Sequence, residues 1–227
     1  MDNQQNGLAN GSVFAAPSTT RIAELGRKVE FSDGRCFKYV LSGGTLLAGG
    51  IVSQPAATAL LTNKLAVAAI GATSVVLTLA AITANQFRDG MLHLTDDTGA
   101  GYSYKIKSNT ASDTTIDIEL YEGLIVAIDA TTDCMLTPEL DNGVLAGIAA
   151  AKPCGVALQG ASSGEYLWIQ TKGVATVIVK TTTNIVAGSA LMAGANSGVL
   201  LHTAAFPICA IALGAFDDFM AVDLCMS

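Results

Sequence analysis

The sequence predicts an all-β fold of the β-sandwich or barrel-like class, with a β-meander segment, an extended N-terminal arm and little helix. Two observations support this prediction. Runs of alternating residues with β-branched or aromatic members recur from Lys28 onward, and turns rich in Gly, Asp and Asn separate them. The C-terminal half also contains an internal repeat of such runs. Residues 56–69 are the one place where a helix competes, because they are rich in Ala and Leu.

We expect three regions along the chain. Residues 1–27 form an extended polar arm, because residues 1–20 are rich in Asn, Gln, Gly and Ser and lack periodicity. Such an arm is expected to be disordered, or ordered only against a partner. Residues 28–122 hold a β-hairpin and a β-meander, and residues 123–227 form a β-sandwich or barrel region that contains the repeat.

The region from Lys28 begins with a hairpin signal. Asp33-Gly34 lies between the apolar runs "KVEF" and "CFKYVL". A two-residue hairpin turn of type I′ needs positive φ at both central positions, and Asp-Gly supplies it. We therefore predict a type I′ hairpin here.

The meander is predicted from four runs between residues 70 and 122: "SVVLTL", "MLHLTD", "GYSYKIKS" and "TTIDIELY". In the third run, Tyr102, Tyr104 and Ile106 share one face, whereas the alternate positions are Ser or Lys. This alternation is typical of a half-buried strand.

The internal repeat superposes residues 136–158 on residues 191–213 with a constant offset of 55 and no gap. Nine of the 23 positions are identical, including Leu136 with Leu191, which is more than compositional bias usually gives. Each copy predicts a Gly turn, an apolar strand, a loop containing Pro and two further strands, and two such units can form opposing halves of a sandwich or barrel. The offset places Asp223 where the first copy has Trp168.

Composition and charge exclude several classes of partner. The chain is 51% hydrophobic and only 14% charged, so we expect part of its surface to be buried against other chains. A net charge of −7, without a basic stripe, argues against nucleic acid and against an acidic membrane surface. Residues 65–87 are uncharged, but polar residues interrupt them, so we expect no membrane helix.

Five cysteines without CxxC spacing exclude the usual zinc ribbons and cannot form a complete disulfide framework. We expect reduced thiols in a protein assembled in a cytoplasm.

Two short motifs resemble catalytic signatures. Residues 160–164, "GASSG", match the G-x-S-x-G of a nucleophile elbow, but a strand follows where that motif needs a helix, so we expect a turn. Asp97-Thr98-Gly99 matches the D-T-G of aspartic proteases, which need two such loops. The chain has one, so a protease would be a symmetric dimer, and a hairpin loop explains the same residues. We predict no catalytic, cofactor-binding or metal-ligating residue.

Three stretches resemble segments of tailed-bacteriophage virion proteins. Residues 24–52, "ELGRKVEFSDGRCFKYVLSGGTLLAGGIV", are similar to the opening of those proteins, where LG, DGR and G-x-x-L-x-x-G motifs recur in that order. Residues 71–110 are similar to the next segment, and residues 155–179 with 188–200 to the C-terminal part. The resemblance covers most of the chain, through turn and strand patterns.

The resemblance implies a non-enzymatic virion protein of the capsid decoration, or cement, class. Such proteins are β-rich, commonly homotrimeric, and bridge subunits of the major capsid protein on the outer capsid surface. Assembly would take place in the host cytoplasm, without a nucleic-acid or membrane partner. We expect Phe14, Arg21, Tyr166 and Trp168 at the interface. The alternatives are another head–tail or tail component, a retropepsin-like protease using Asp97, and a glycan-binding module using Tyr166 and Trp168.

Overall fold

The structure is a computed structural model that describes residues 13–147, 152–179, 185–193, 199–201, 210–213 and 219–226. These residues are almost entirely strands and connections, so the predicted all-β class is confirmed. Residues 56–69 form no helix. They run as an irregular segment with isolated β-bridges at Leu61, Leu65 and Ala68.

The described residues form fifteen strands, numbered in chain order. They are β1 (Lys28–Glu30), β2 (Cys36–Ser42), β3 (Ile51–Ser53), β4 (Ser74–Thr78), β5 (Met91–Asp96), β6 (Ser103–Asn109), β7 (Thr115–Leu120), β8 (Asp133–Thr137), β9 (Asn142–Ala146), β10 (Pro153–Ala157), β11 (Tyr166–Ile178), β12 (Ala190–Ala193), β13 (Val199–Leu201), β14 (Ala210–Ala212) and β15 (Phe219–Cys225).

The chain divides into two compact units, and the second is inserted into the first. Unit 1 contains residues 1–55 and 141–227, and unit 2 contains residues 56–140. These bounds differ from those expected from the sequence. The physical reason is long-range pairing: β2 pairs with β11, and β8 joins the strands that precede it.

Unit 1 is built on one ten-stranded sheet, in the order β1-β2-β9-β3-β10-β11-β15-β14-β12-β13. An additional pairing of β2 with β11 closes β2, β9, β3, β10 and β11 into a five-stranded barrel. Its interior is apolar, because alternate residues of these strands point inward. The buried cluster includes Val40, Val52, Val144, Leu167 and Ile169.

The predicted hairpin between β1 and β2 is confirmed, but the predicted turn type is wrong. Glu30 pairs with Cys36, which leaves a five-residue loop. Gly34 has φ +84°, but Asp33, which is described, does not have a positive φ. A type I′ turn needs positive φ at both positions, so this turn is of another type. Gly34 N–H donates to Phe31 O instead.

The described strands of the two halves of unit 1 follow the same order. Repeat A comprises β2, β3, β9, β10 and residues 166–170 of β11. Repeat B comprises residues 173–178 of β11, then β12, β13, β14 and β15. Reading outward from the contact of β11 with β15, the sheet contains β10, β3 and β9 on one side and β14, β12 and β13 on the other.

The pairing registers of the repeats also coincide. Val52 pairs with Ala146 in repeat A, and Leu191 pairs with Leu201 at the equivalent position of repeat B. The turns before β3 and β12 match as well. Gly49 N–H donates to Ala157 O, and Gly188 N–H donates to Ala212 O, each at 2.8 Å. The offset of 55 therefore relates β9 to β13 and β10 to β14.

The structural register corrects two details of the sequence alignment. The counterpart of Leu191 is Val52 in β3, whereas Leu136 belongs to β8 in unit 2. β11 and β15 are related by an offset of 53, because Gln170 opposes Val156 where Asp223 opposes Ile211. The counterpart of Trp168 is therefore Ala221, and the predicted match of Trp168 with Asp223 is wrong. Several connections of repeat B, including residues 194–198 and 202–209, lie outside the described residues.

Unit 2 is a five-stranded sheet in the order β4-β7-β6-β5-β8. The four predicted meander strands are all present, but only β5, β6 and β7 are consecutive neighbours. β4 returns to lie beside β7, which is a Greek-key order. Leu61 bridges to Cys134 of β8 and Leu65 bridges to Leu77 of β4, so the segment between them connects the two outer strands. The sheet is thereby closed into a barrel-like form.

The alternation that predicted these strands matches their burial. Tyr104 and Ile106 of β6 are buried, whereas the alternate Ser103 and Lys105 are exposed. β7 repeats this pattern, with Ile116 and Ile118 buried. The inward residues form one apolar core with Leu77, Leu92 and Leu136.

We predict that unit 1 folds without unit 2. Repeat B connects β12 to β13 with only five residues, 194–198, where repeat A carries the whole of unit 2. Replacing residues 56–140 with a short Gly-Ser linker, which retains Asp141, should leave a soluble β protein, since a flexible connection changes closure entropy only slowly with its length. Cooperative thermal unfolding followed by circular dichroism checks this. A chain without a cooperative transition would contradict the assignment of unit 2 as an insertion.

Candidate functional site

The N-terminal segment 13–31 packs against aromatic side chains of β2 and β11. The resulting aromatic cluster contains Phe31, Phe37, Tyr39, Tyr166 and Trp168. Tyr39 stacks on Tyr166 with ring centroids 5.8 Å apart and contacts Trp168 at 5.1 Å. The ring centroids of Phe31 and Phe37 lie 4.9 Å apart. Such pairs contribute about 0.5–1.5 kcal/mol each beyond the area that they bury.

Backbone hydrogen bonds hold the segment in place. Ser18 and Tyr166 exchange N–H···O bonds of 3.1 and 2.7 Å, and Gly26 N–H donates to Tyr39 O at 2.9 Å. Ile22 N–H also donates to the Tyr39 hydroxyl. Burial raises the pKa of Tyr39 above its usual value. The expectation that residues 1–20 are disordered, or ordered only against a partner, is therefore wrong for residues 13–20, because they pack on their own chain. Residues 1–12 lie outside the described residues.

The four predicted interface residues take different positions. Trp168 is only 3% exposed and Tyr166 is half-buried, both within the aromatic cluster. Phe14 is 45% exposed and contacts Phe37 edge-to-face. Arg21 lies at the surface, where it pairs with Glu24 at 2.5 Å. Phe14, Tyr166 and Trp168 thus lie in or beside one aromatic cluster of unit 1, in which segment 13–31 covers Trp168.

An ion pair inside the barrel of repeat A was not predicted from the sequence. Lys38 lies on the same inward face of β2 as Val40, and its Nζ lies 2.6 Å from Oδ1 of Asp141. Both side chains are about nine-tenths buried. A buried charge is costly to desolvate, so each group depends on the other. The alternation of residues in β2 was the sequence signal that could have placed Lys38 inside the barrel. No local pattern pairs it with Asp141, about a hundred positions further along the chain.

The "GASSG" motif is a turn, as predicted. Gly164 has φ +82°, Ser162 N–H donates to the Glu165 carboxylate at 2.6 Å, and Gly164 N–H donates to Ser42 O. The Ser163 hydroxyl donates to Gly43 O at 3.2 Å. These bonds fix the connection between β10 and β11.

The D-T-G motif forms the hairpin loop between β5 and β6, and its polar groups are used structurally. The Thr98 hydroxyl donates to Asp129 Oδ2 at 3.0 Å, and Thr131 donates to Asp129 Oδ1 through both N–H and hydroxyl. These bonds lower the pKa of the Asp129 carboxyl below its usual value. Asp97 is exposed, with φ +56°. The loop is thereby tied to the turn at Asp129.

The described histidine makes contacts between strands, and two of the described cysteines are buried. His93 contacts the hydroxyls of Ser103 and Thr137 at 2.9 and 3.0 Å on neighbouring strands. Burial raises the pKa of the Cys134 and Cys154 thiols to about 12 in each case, so both are neutral at ordinary pH. Among the described residues Cys36, Cys134 and Cys154 are free. His202 and Cys209 lie outside the described part of the chain.

Unit 2 exposes an apolar patch that we define by Val67, Ile70 and Ile125. These side chains are 74%, 69% and 63% exposed. Gly71 N–H donates to Leu124 O at 2.7 Å, and Ala68 and Ile128 exchange backbone hydrogen bonds, so the two segments run side by side. Lys64 is the only charged residue between positions 56 and 87. Exposed aliphatic side chains on adjacent segments make the apolar patch a candidate contact surface.

No family model, no curated protein and no solved structure matches the chain. Among the described residues, no group of three or more His, Cys, Asp or Glu side chains could hold a metal ion. In the described part of the chain, no helix is long and apolar enough to cross a bilayer.

We predict that Lys38 and Asp141 stabilise unit 1 only together. Lys38→Met should lower the free energy of unfolding by about 3–5 kcal/mol, because it leaves the Asp141 carboxylate buried without its cation. Adding Asp141→Leu should recover most of that loss, since an apolar pair of similar volume is often neutral or stabilising. Urea denaturation of the two single variants and the double variant measures the coupling. Additive losses would contradict the ion pair.

Proposed function

We propose that the protein is a non-enzymatic structural component of a tailed-bacteriophage virion, which binds the outer capsid surface and bridges subunits of the major capsid protein. The observation that supports this most directly is the apolar patch on unit 2. The sequence resemblance to phage virion proteins supports the choice of partner. The negative net charge is compatible with a position outside the shell, away from packaged DNA.

The chemistry of the apolar patch favours a protein partner. Val67, Ile70 and Ile125 project from two adjacent backbone segments, and burying each of them would contribute about 1.5–3 kcal/mol. Lys64 is the only charged residue between positions 56 and 87, so docking on the segment that carries Val67 and Ile70 requires little desolvation of ionised groups. The alanines around these residues present little bulk, so a partner can approach the backbone closely. Ala66 and Ala69 are exposed beside them.

Symmetry would multiply a modest contact of this kind. We propose a homotrimer, in which three copies of the apolar patch engage neighbouring capsid subunits at once. Linked contacts bind far more tightly than each alone, because the later ones form at high effective concentration. The mechanism is then mechanical: many weak contacts raise the free-energy cost of shell rupture.

A second structural role, as another head–tail or tail component, uses the same surface with a different partner. Locating the protein in an electron-microscopy map of the virion distinguishes the two. The glycan-binding alternative is less compatible with the structure, since Trp168 is covered by segment 13–31. The protease alternative would use Asp97 as a catalytic residue. The adjacent Thr98 donates a hydrogen bond to Asp129, which also accepts one from Thr131, so this loop is tied into the structural connections.

We predict that Val67→Asp with Ile70→Asp abolishes capsid binding without unfolding the protein. The loss should exceed about tenfold in affinity, since tenfold corresponds to about 1.4 kcal/mol and two buried aliphatic side chains contribute more than that. Co-sedimentation with shells of the major capsid protein measures it. Val186→Asp is the matched control, because Val186 is 60% exposed in unit 1. Binding that survives the double substitution would contradict the assigned surface.

A further inference from the structure

The outward face of the β5–β8 pair in unit 2 carries two methionines beside a histidine. Met91 and His93 are alternate residues of β5, and Met135 lies in the neighbouring β8. All three side chains are half-buried, whereas Leu92, between Met91 and His93, and Leu136, next to Met135, are buried in the core of unit 2. Because successive side chains of a strand point to opposite faces, the two methionines and the histidine share the face that is turned away from the core.

The pairing register brings these side chains to adjacent positions. His93 is directly opposite Met135, and Met91 is directly opposite Thr137, so the four residues form a square on this face. Directly opposite residues of antiparallel strands have Cβ atoms about 4.5–5.5 Å apart, and diagonal neighbours are within reach of long side chains. Methionine is unbranched and has three rotatable bonds. Both sulfur atoms can therefore approach the centre of the square.

Two hydroxyl groups orient the His93 ring across the sheet. Its Nδ1 lies 2.9 Å from Oγ of Ser103 in β6, and its Nε2 lies 3.0 Å from Oγ1 of Thr137 in β8. Nε2 is therefore the ring nitrogen on the side of the square, next to the position that Met91 opposes. When Nδ1 carries the proton and donates it to Ser103, the lone pair of Nε2 faces the square. Histidines that bind metals characteristically hold their other ring nitrogen in a hydrogen bond of this kind.

The chemistry of these groups favours a soft monovalent cation. Thioether sulfur is a soft ligand that selects Cu(I), and imidazole also suits copper. Two thioethers and one neutral imidazole supply no negative charge, so a single positive charge costs less to desolvate there than a double one. Zn²⁺ is bound by thiolate, imidazole and carboxylate groups, and neither Met91 nor Met135 offers one. Lys105 is opposite Met91 on the β6 side, but it is exposed, so its ammonium group can extend into solvent.

We propose that Met91, His93 and Met135 form a binding site for Cu(I), through the two thioether sulfurs and Nε2 of the imidazole, with the Thr137 hydroxyl beside the ion. This differs from the expectation, drawn from the sequence, that the chain has no metal-ligating residue. No local motif contains all three ligands, because only the register of β5 with β8 brings Met135 to the other two. The proposal is independent of the proposed capsid function, since it uses other side chains of unit 2 than the apolar patch.

Silver(I) tests the site, as an air-stable ion of the same charge and similar softness. The full-length protein, with isotope-labelled methionine methyl groups, is titrated with silver nitrate in chloride-free buffer and followed by nuclear magnetic resonance. Reactive thiols are first alkylated with N-ethylmaleimide, because thiolates compete for the ion. One equivalent of Ag(I) should shift the methyl signals of Met91 and Met135. The methyl signal of Met220, which is buried in the core of unit 1, is the internal control and should stay in place.

Substitution of the thioethers identifies the ligands. Met91→Leu and Met135→Leu roughly conserve side-chain volume, so each should leave the fold intact, and each also assigns one methyl signal by its loss. Each should weaken the affinity for Ag(I), measured by calorimetry, by more than about tenfold, since even the outer-shell partners of metal ligands contribute about 10–100-fold. Met192→Leu, in β12 of unit 1, is the matched control and should leave the affinity unchanged.

Three results would overturn the proposal. The first is that one equivalent of Ag(I) moves the methyl signals of Met91 and Met135 no more than that of Met220. The second is an unchanged affinity for Ag(I) in Met135→Leu, because the ion would then be bound elsewhere. The third is that Zn²⁺ shifts the ring signals of His93 at the same concentration as Ag(I), because the thioethers would then give the site no preference for a soft ion.

Discussion

The antiparallel pairing of β11 with β15 is the interaction on which the rest of unit 1 depends. It runs in unbroken register from Lys172–Cys225 to Ile178–Phe219, and it joins the two repeats into one sheet. β11 serves both repeats, because its first half closes the barrel of repeat A against β2 and its second half pairs with β15. A strand shared in this way couples the stability of the two halves, since neither can lose β11 alone.

Because unit 2 is inserted into unit 1, one chain combines a scaffold with a second unit that carries the proposed contact surface. Unit 2 enters between β3 and β9, at the position where repeat B needs only a short connection. Hairpin ends tolerate insertions, because the pairing on either side is complete without them. The register of β3 with β9 is indeed the same as that of β12 with β13. We infer that the surface of unit 2 can vary without disturbing the sheet of unit 1.

Local features were predictable from the sequence, and long-range ones were not. Alternation predicted the strands around Tyr104 and Ile118, and sequence identity predicted the relation of β9 to β13. The predicted match of Leu136 with Leu191 is wrong, because the strand of repeat A that is equivalent to β12 is β3. This strand has only three residues and precedes unit 2 in the chain. The same distance hid the pairing of Lys38 with Asp141. The burial of Trp168 was consistent with the apolar residues on both faces of its strand, but its cover comes from segment 13–31, most of which lies in the region expected to be an extended arm.

Native-state hydrogen exchange tests the shared strand most directly. Amides in residues 166–170 and in residues 219–224 should open with the same free energy, close to that of global unfolding of unit 1, because both pair with β11 or belong to it. Destabilising repeat B by Val222→Ala, at a core position that is fully buried, should then lower the protection of both segments equally. Rapid exchange in residues 219–224 while residues 166–170 stay fully protected would show that the repeats fold independently, and would contradict this account.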